Sequence, residues 1–220
     1  MKIKINLNIK INKVIKFFIL SDLLFLGGWS LVQPIFPIFI IEKIKGATLV
    51  SVGLVAGLYW LVKSLIQIPV ANYLDKNDGE KDDFYALIFA LTLAALASFS
   101  FSLVHQLWHL FLVQFLYAVA MGFYVPSWSG IFSRHLDEKR FSFDWSLDST
   151  VVGLTSCVSA VLGGILANWL GFSFVFFVVG VFSLLSAVLI FSVPALIIPK
   201  KTTDALPPLM RDHSPSNINR

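Results

Sequence analysis

Cysteine and charge are what this 220-residue chain has least of. The single cysteine, Cys157, rules out an intrachain disulfide and a cysteine-based metal cluster. Charged residues make up only 14% of the sequence, against about 25% in ordinary soluble domains. Enzyme signatures are missing as well. There is no GxSxG elbow, no P-loop, no HExxH, and no paired aspartate within an apolar run. The sequence therefore argues against an enzyme and offers no cofactor motif. His105 and His109 lack a second ligand set, so no metal site is expected. Strict apolar–polar alternation over short segments, the mark of a membrane barrel, is absent too.

What is present is apolar. The chain is 57% hydrophobic with a mean hydropathy of +0.80, more apolar surface than a soluble domain of this length could cover. Runs near the ~20 residues that span a bilayer as a helix occur six times, at 14–41, 48–74, 84–104, 107–132, 149–170 and 171–198. The expected class is an all-α membrane protein with one six-helix domain, 14–198. It is flanked by a basic N-terminus, 1–13, and a Pro-rich polar tail, 199–220, without periodicity. The Lys-rich start followed by an apolar run is expected to be a retained first helix, because the run is too long for a cleaved leader, contains Asp22 and lacks a small-x-small site.

Orientation follows from Lys and Arg. With a cytoplasmic N-terminus, fourteen of these residues fall in cytoplasmic segments, two (Lys43 and Lys45) fall outside, and Lys63 lies within a span. The positive-inside rule then places both termini in the cytoplasm. The net charge of +4 belongs to this inner face and gives no reason to expect nucleic acid. The first and fourth spans, "FLGGWSLVQPIFPIF" and "YAVAMGFYVPSWSGIF", share a Gly, a Trp and a late Pro while crossing in opposite directions. This suggests a 3+3 inverted repeat.

Ionisable side chains at bilayer depth cost at least about 2.5–3.5 kcal/mol on insertion scales and are functional candidates for that reason. Lys63 lies 12 residues before Asp75, about 18 Å along a helix. Trp60, Lys63 and Gln67 share one face of the second span. An aromatic, a cation and an amide together suit a polar cavity; the plainer role for Lys63 is an ion pair with a carboxylate such as Asp22. Asp22 heads a face running through Leu26, Trp29, Gln33 and Phe36, and suits either a coupling proton or a solvated vestibule. The fourth span carries the stripe Gln114, Tyr117, Met121, Tyr124 and Trp128, whose polar tips need partners or water. In the fifth span Asp148 is expected to cap the helix, and Gly163-Gly164 to permit close packing.

The densest charge lies after the second span. "ANYLDKNDGEKDDF" places Asp75, Lys76, Asp78, Glu80, Lys81, Asp82 and Asp83 within nine residues. Asp82 and Asp83 open the third helix, where the dipole favours anions. Asp75 ends the second, where it does not, so a cation is expected beside it, and Arg134 at the inner end of the fourth span is the one available.

This segment resembles the signature loop of the major facilitator superfamily, Gly-x-x-x-Asp-Arg/Lys-x-Gly-Arg/Lys-Lys. Asp75 and Lys76 match its Asp and base, and Gly79 and Lys81 its Gly and a later base. Ala71 replaces the leading Gly, Asp78 is an extra residue, and Glu80 stands at a basic position. The likeness runs from Lys16 to Ile198, one half of the family's usual twelve helices. The family's fourth-helix Arg is Gln114 here, and the antiporters' Gly-Pro reads Ser159-Ala160, so the resemblance implies neither that form of proton coupling nor antiport.

The resemblance implies a half-size secondary transporter in the plasma or inner membrane. It would carry a small polar or amphipathic solute, with H+ or Na+ as a possible coupling ion, by alternating access. One copy cannot enclose such a pathway, so a homodimer or a second six-helix half is expected. Cavity candidates are Lys63, Asp22, Trp29, Gln33, Trp60, Gln67, Gln114 and Tyr117; Asp75, Lys76, Gly79, Lys81 and Arg134 form the motif-loop group. The alternative is a non-transporting scaffold or accessory module, or a truncated transporter fragment.

Overall fold

The computed structural model describes residues 12–76, 80–137 and 140–194. The expectations for the N-terminus up to residue 11, for Gly79 and for the tail beyond 194 lie outside these. Among the described residues there are seven helices: α1 (Lys13–Trp29), α2 (Phe36–Lys43), α3 (Leu49–Leu74), α4 (Lys81–Phe101), α5 (Leu107–Arg134), α6 (Phe141–Leu170) and α7 (Phe172–Phe191). The last five, α3 to α7, are long and apolar enough to cross a membrane.

The first expected span, 14–41, is not one helix. Residues 30–35 form successive turns closed by three-residue steps, with the Leu31 N–H donating to Gly28 and the Ile35 N–H to Val32. Pro34 explains the break. It lacks an N–H, crowds the carbonyl four residues back, and biases Gln33 away from helix. Pro37 then occupies the first turn of α2, where a missing N–H costs nothing.

The fifth span begins earlier than expected, at Phe141 instead of 149. Asp148 therefore lies inside α6 and does not cap it. The Asp144 carboxylate, on the first turn of α6, accepts the Asp137 backbone N–H at 3.1 Å and ties the helix to the preceding loop.

In the bundle α5 packs on α3 and α4, α4 on α7, and α1 on α6 and α7. Phe18, Phe25, Phe84, Phe101, Phe132 and Phe176 fill the centre. Hydroxyls tie helices together. Ser21 and Ser186 are 2.7 Å apart, as are Ser30 and Ser156. Such pairs satisfy polar atoms where no water is available. Gly163 packs so closely that the Leu31 carbonyl occupies the space a Cβ would need, seating α6 on the break between α1 and α2. Asn12 caps α1 by accepting the Val14 N–H at 3.1 Å, and its amide donates to the His135 carbonyl at the end of α5. α3 and α6 are the least enclosed: only Ser51, Val55, Val62 and Leu74 of α3, and Asp144, Asp148, Ser159 and Gly163 of α6, are buried.

Candidate functional site

The α1–α2 break, α3 and α5 surround a cavity of about 390 Å³. Five of the expected residues line it: Trp29 and Gln33 from α1 and the break, Trp60 from α3, and Gln114 and Tyr117 from α5. Met121, from the expected α5 stripe, and Tyr59 also line it; Tyr59 was not among the candidates, though it was legible as the residue one turn before Lys63. The rings form a continuous surface. Trp29 stacks on Tyr117 with centroids 4.2 Å apart, and Tyr59 lies 6.0 Å from Tyr117 and 5.2 Å from Trp60. Polar groups on this wall are few. The Gln114 side-chain oxygen is buried without a hydrogen-bond partner, an acceptor left open beside the cavity.

Lys63, Gln67 and Asp22 do not line this cavity. The Lys63 ammonium lies over the Trp60 ring, 4.8 Å from its centroid, and 5.8 Å from that of Tyr59. Among the described residues Lys63 forms no ion pair, so the pairing with Asp22 is not made. An ammonium over an aromatic face is held by the ring quadrupole. The cation thus sits behind the aromatic wall, one ring away from the space. Gln67 is half-buried one turn further along α3.

Asp22 belongs to a second constellation. It is 2% exposed and accepts a hydrogen bond from the Tyr124 hydroxyl. Asp148, from α6, is its electrostatic neighbour. The two are 126 residues apart in sequence, on helices that pack against each other, α1 and α6.

The third constellation is at the end of α5. Arg134 contacts two carboxylates, Glu80 through Nε at 3.3 Å and Asp83 through its terminal nitrogen. His135 Nδ1 is 3.4 Å from Glu80 and 3.0 Å from the Ile131 carbonyl. The expected partnership of Arg134 with Asp75 is therefore corrected. Asp75 ends α3 exposed, as are Lys76 and Lys81. α4 packs along α5, so its first turn and N-cap reach the arginine first. Burial pushes the Glu80 carboxyl above its ordinary range, while His135 and Arg134 pull it back. One oxygen of Glu80 is buried and unpartnered, in keeping with that direction.

A family model described as Major Facilitator Superfamily matches residues 18–215. No curated protein matches the sequence. Among solved structures, the in meso crystal structure of the POT family transporter PepTSo superposes with a TM-score of 0.60 at 13% identity. That match covers 83% of this chain and 37% of PepTSo, and at such identity it speaks for the fold. The motif loop, the multi-pass helical bundle and a family match over most of the sequence converge: the chain belongs to the major facilitator superfamily.

Proposed function

We propose that this chain is a half-size secondary transporter of its family, moving a small polar or amphipathic solute through the membrane by alternating access. In this reading α1 and α2 together make the first of six spans, broken at Pro34. The six form a 3+3 inverted repeat with both termini cytoplasmic. The carrying observation is the aromatic cavity of Trp29, Tyr59, Trp60 and Tyr117 with the open Gln114 acceptor. Such sites bind a flat apolar body by its faces and orient it through a few polar groups. The Lys63 ammonium adds positive potential from behind Trp60. Discontinuous helices beside a binding site are a recurring device of transporters, and Gln33 lies in such a break.

A second copy of the chain, or another six-helix half, completes the pathway. The long exposed faces of α3 and α6 support this, with Leu61, Leu65 and Ile68 on one and Leu154, Val158 and Val161 on the other. The site would be gated at the α4–α5 end by the Arg134 cluster, with Asp75, Lys76 and Lys81 presented to the partner.

The test is uptake into proteoliposomes, screened over labelled sugars, amino acids and amphipathic aromatic solutes. Lys63→Ala and Gln114→Leu should abolish or sharply reduce uptake of the solute found while leaving membrane insertion intact. Folded protein that moves none of these, or variants with wild-type uptake, would sink the assignment and favour the scaffold role.

A further inference from the structure

The aromatic cavity combines flat walls with an absence of charge. Among the described residues, none of its lining side chains is Asp, Glu, Lys, Arg or His. Asp22 is buried against the Tyr124 hydroxyl and does not line the cavity. The Lys63 ammonium, 4.8 Å from the Trp60 centroid and 5.8 Å from that of Tyr59, does not line it either. Trp29, Tyr59, Trp60 and Tyr117 supply four ring systems. Gln114 is 4% exposed, and its side-chain oxygen has no hydrogen-bond partner. It lies three residues before Tyr117, about one turn away on the same face of α5.

These properties select a ligand by its charge. An anion would shed its water into a site with no cation on its wall, which is costly. A cation would suit a cage of aromatic rings, but the Lys63 ammonium already engages two of the four and repels a second positive charge. A neutral ring meets neither penalty. A buried acceptor without a donor is costly as well. The terminal torsion of a glutamine is soft, so the Gln114 oxygen can turn to a donor brought by the solute. A ring N–H carries that donor in the plane of the ring and leaves both faces free to stack.

We propose that the solute of this cavity is an uncharged heteroaromatic compound with a ring N–H, of benzimidazole, indole or purine type, which stacks on the aromatic wall and donates to the Gln114 Oε1. Gln114 then sets specificity, because an analogue without the donor leaves a buried acceptor unpaired. The proposal deepens the transporter reading and rests on it only in taking this cavity as the solute site; binding itself is measurable without transport.

The test is calorimetric titration of the purified full chain in lipid nanodiscs, with empty nanodiscs as the blank, at mildly alkaline pH, where benzimidazole is neutral. The probes are benzimidazole, 1-methylbenzimidazole, the 1,3-dimethylbenzimidazolium cation and the benzimidazole-5-carboxylate anion. Benzimidazole should bind about tenfold more tightly than its 1-methyl analogue, the effect of one hydrogen bond to a buried acceptor, and more tightly than either ion. Gln114→Leu should bring the two neutral probes within about 2-fold of each other. Its thermal midpoint should be unchanged or raised, since the substitution removes an unpartnered polar atom. Equal affinity of the neutral pair for the wild-type chain would overturn the proposal. So would a preference for either ion, no binding of any probe, or a preference that survives in the folded Leu variant. Uptake into proteoliposomes separates the two readings. Binding of the series without uptake of any solute keeps this proposal and removes the transporter reading; uptake of another solute by a chain that ignores the series does the reverse.

Discussion

The Trp29 indole lies flat against the Tyr117 ring, their planes 19° apart, joining α1 to α5 at the wall of the cavity. Aromatic pairs of this kind contribute about 0.5–1.5 kcal/mol beyond their buried area, roughly 2- to 10-fold in an equilibrium. Tyr117→Phe keeps the stack and should leave solute affinity within about 2-fold, whereas Trp29→Ala should weaken it by up to about 10-fold. Quenching of tryptophan fluorescence by the transported solute measures both. Equal losses in the two variants would place the recognition on the hydroxyl, not the stack.

Arg134 serves two acids, one of which, Asp83, is 2% exposed. Removing one partner of a buried pair costs about 3–5 kcal/mol; the arginine is 40% exposed, so the expected cost lies below that range. Arg134→Ala should lower the thermal midpoint in detergent more than Glu80→Gln does. Arg134→Lys should rescue only part of the loss, because an ammonium lacks the planar fork that reaches both carboxylates. Full rescue by lysine would show that charge alone matters.

Burial of Glu80 sets the sign of a pH dependence. Its folded carboxyl is raised above the ordinary value by burial. Its contribution to stability is therefore fully present below the ordinary glutamate range and is lost as pH rises through the raised value. Glu80→Gln removes that component, so the difference in thermal midpoint between variant and wild type should shift in favour of the variant on going from acidic to neutral pH. A pH-independent difference would contradict the raised carboxyl.

Neighbouring glycines in α6 should behave differently. A Cβ at Gly163 meets the Leu31 carbonyl, while one at Gly164 meets nothing within 4 Å. Gly163→Ala should destabilise by about 1–3 kcal/mol, as overpacking does, and Gly164→Ala should be neutral or slightly stabilising through the helix preference of Ala over Gly. Thermal unfolding of the two single variants decides; similar behaviour would mean α6 is free to shift.

Much of the fold was legible because a helix in lipid must be long and apolar. The run at 48–74 is α3 to within one residue, and 107–132 is α5 to within two. The misread boundaries have local causes. Residues 141–148 carry Asp144 and Asp148 among aromatics, and that charge resembled a loop; in the fold Asp144 meets a loop amide and Asp148 is buried within α6. Pro34 was visible, but a run long enough to span as one helix gave no sign that the chain would leave the helix four residues ahead of it, at residue 30. The cavity wall was largely readable, since Trp29, Gln33, Gln114 and Tyr117 follow helical spacing on two faces. Partnerships across the chain were not readable. Arg134 chose Glu80 and Asp83 over Asp75 because helix packing, not proximity in sequence, decided which carboxylate reached it.

Asn12 illustrates how a neighbouring helix narrows a residue's choices. As a cap for α1 alone, the position would accept Ser, Thr, Asp or Asn almost interchangeably. The carbonyl of His135 adds a demand for a donor on the same short side chain. Aspartate could accept the Val14 N–H but has nothing to give in return, and its charge would oppose the carbonyl. Serine and threonine can donate and accept, but only through one oxygen, which would have to lie within reach of both groups. An amide alone offers an oxygen and a nitrogen at once, so substitution tolerance at the start of α1 is set at the far end of α5.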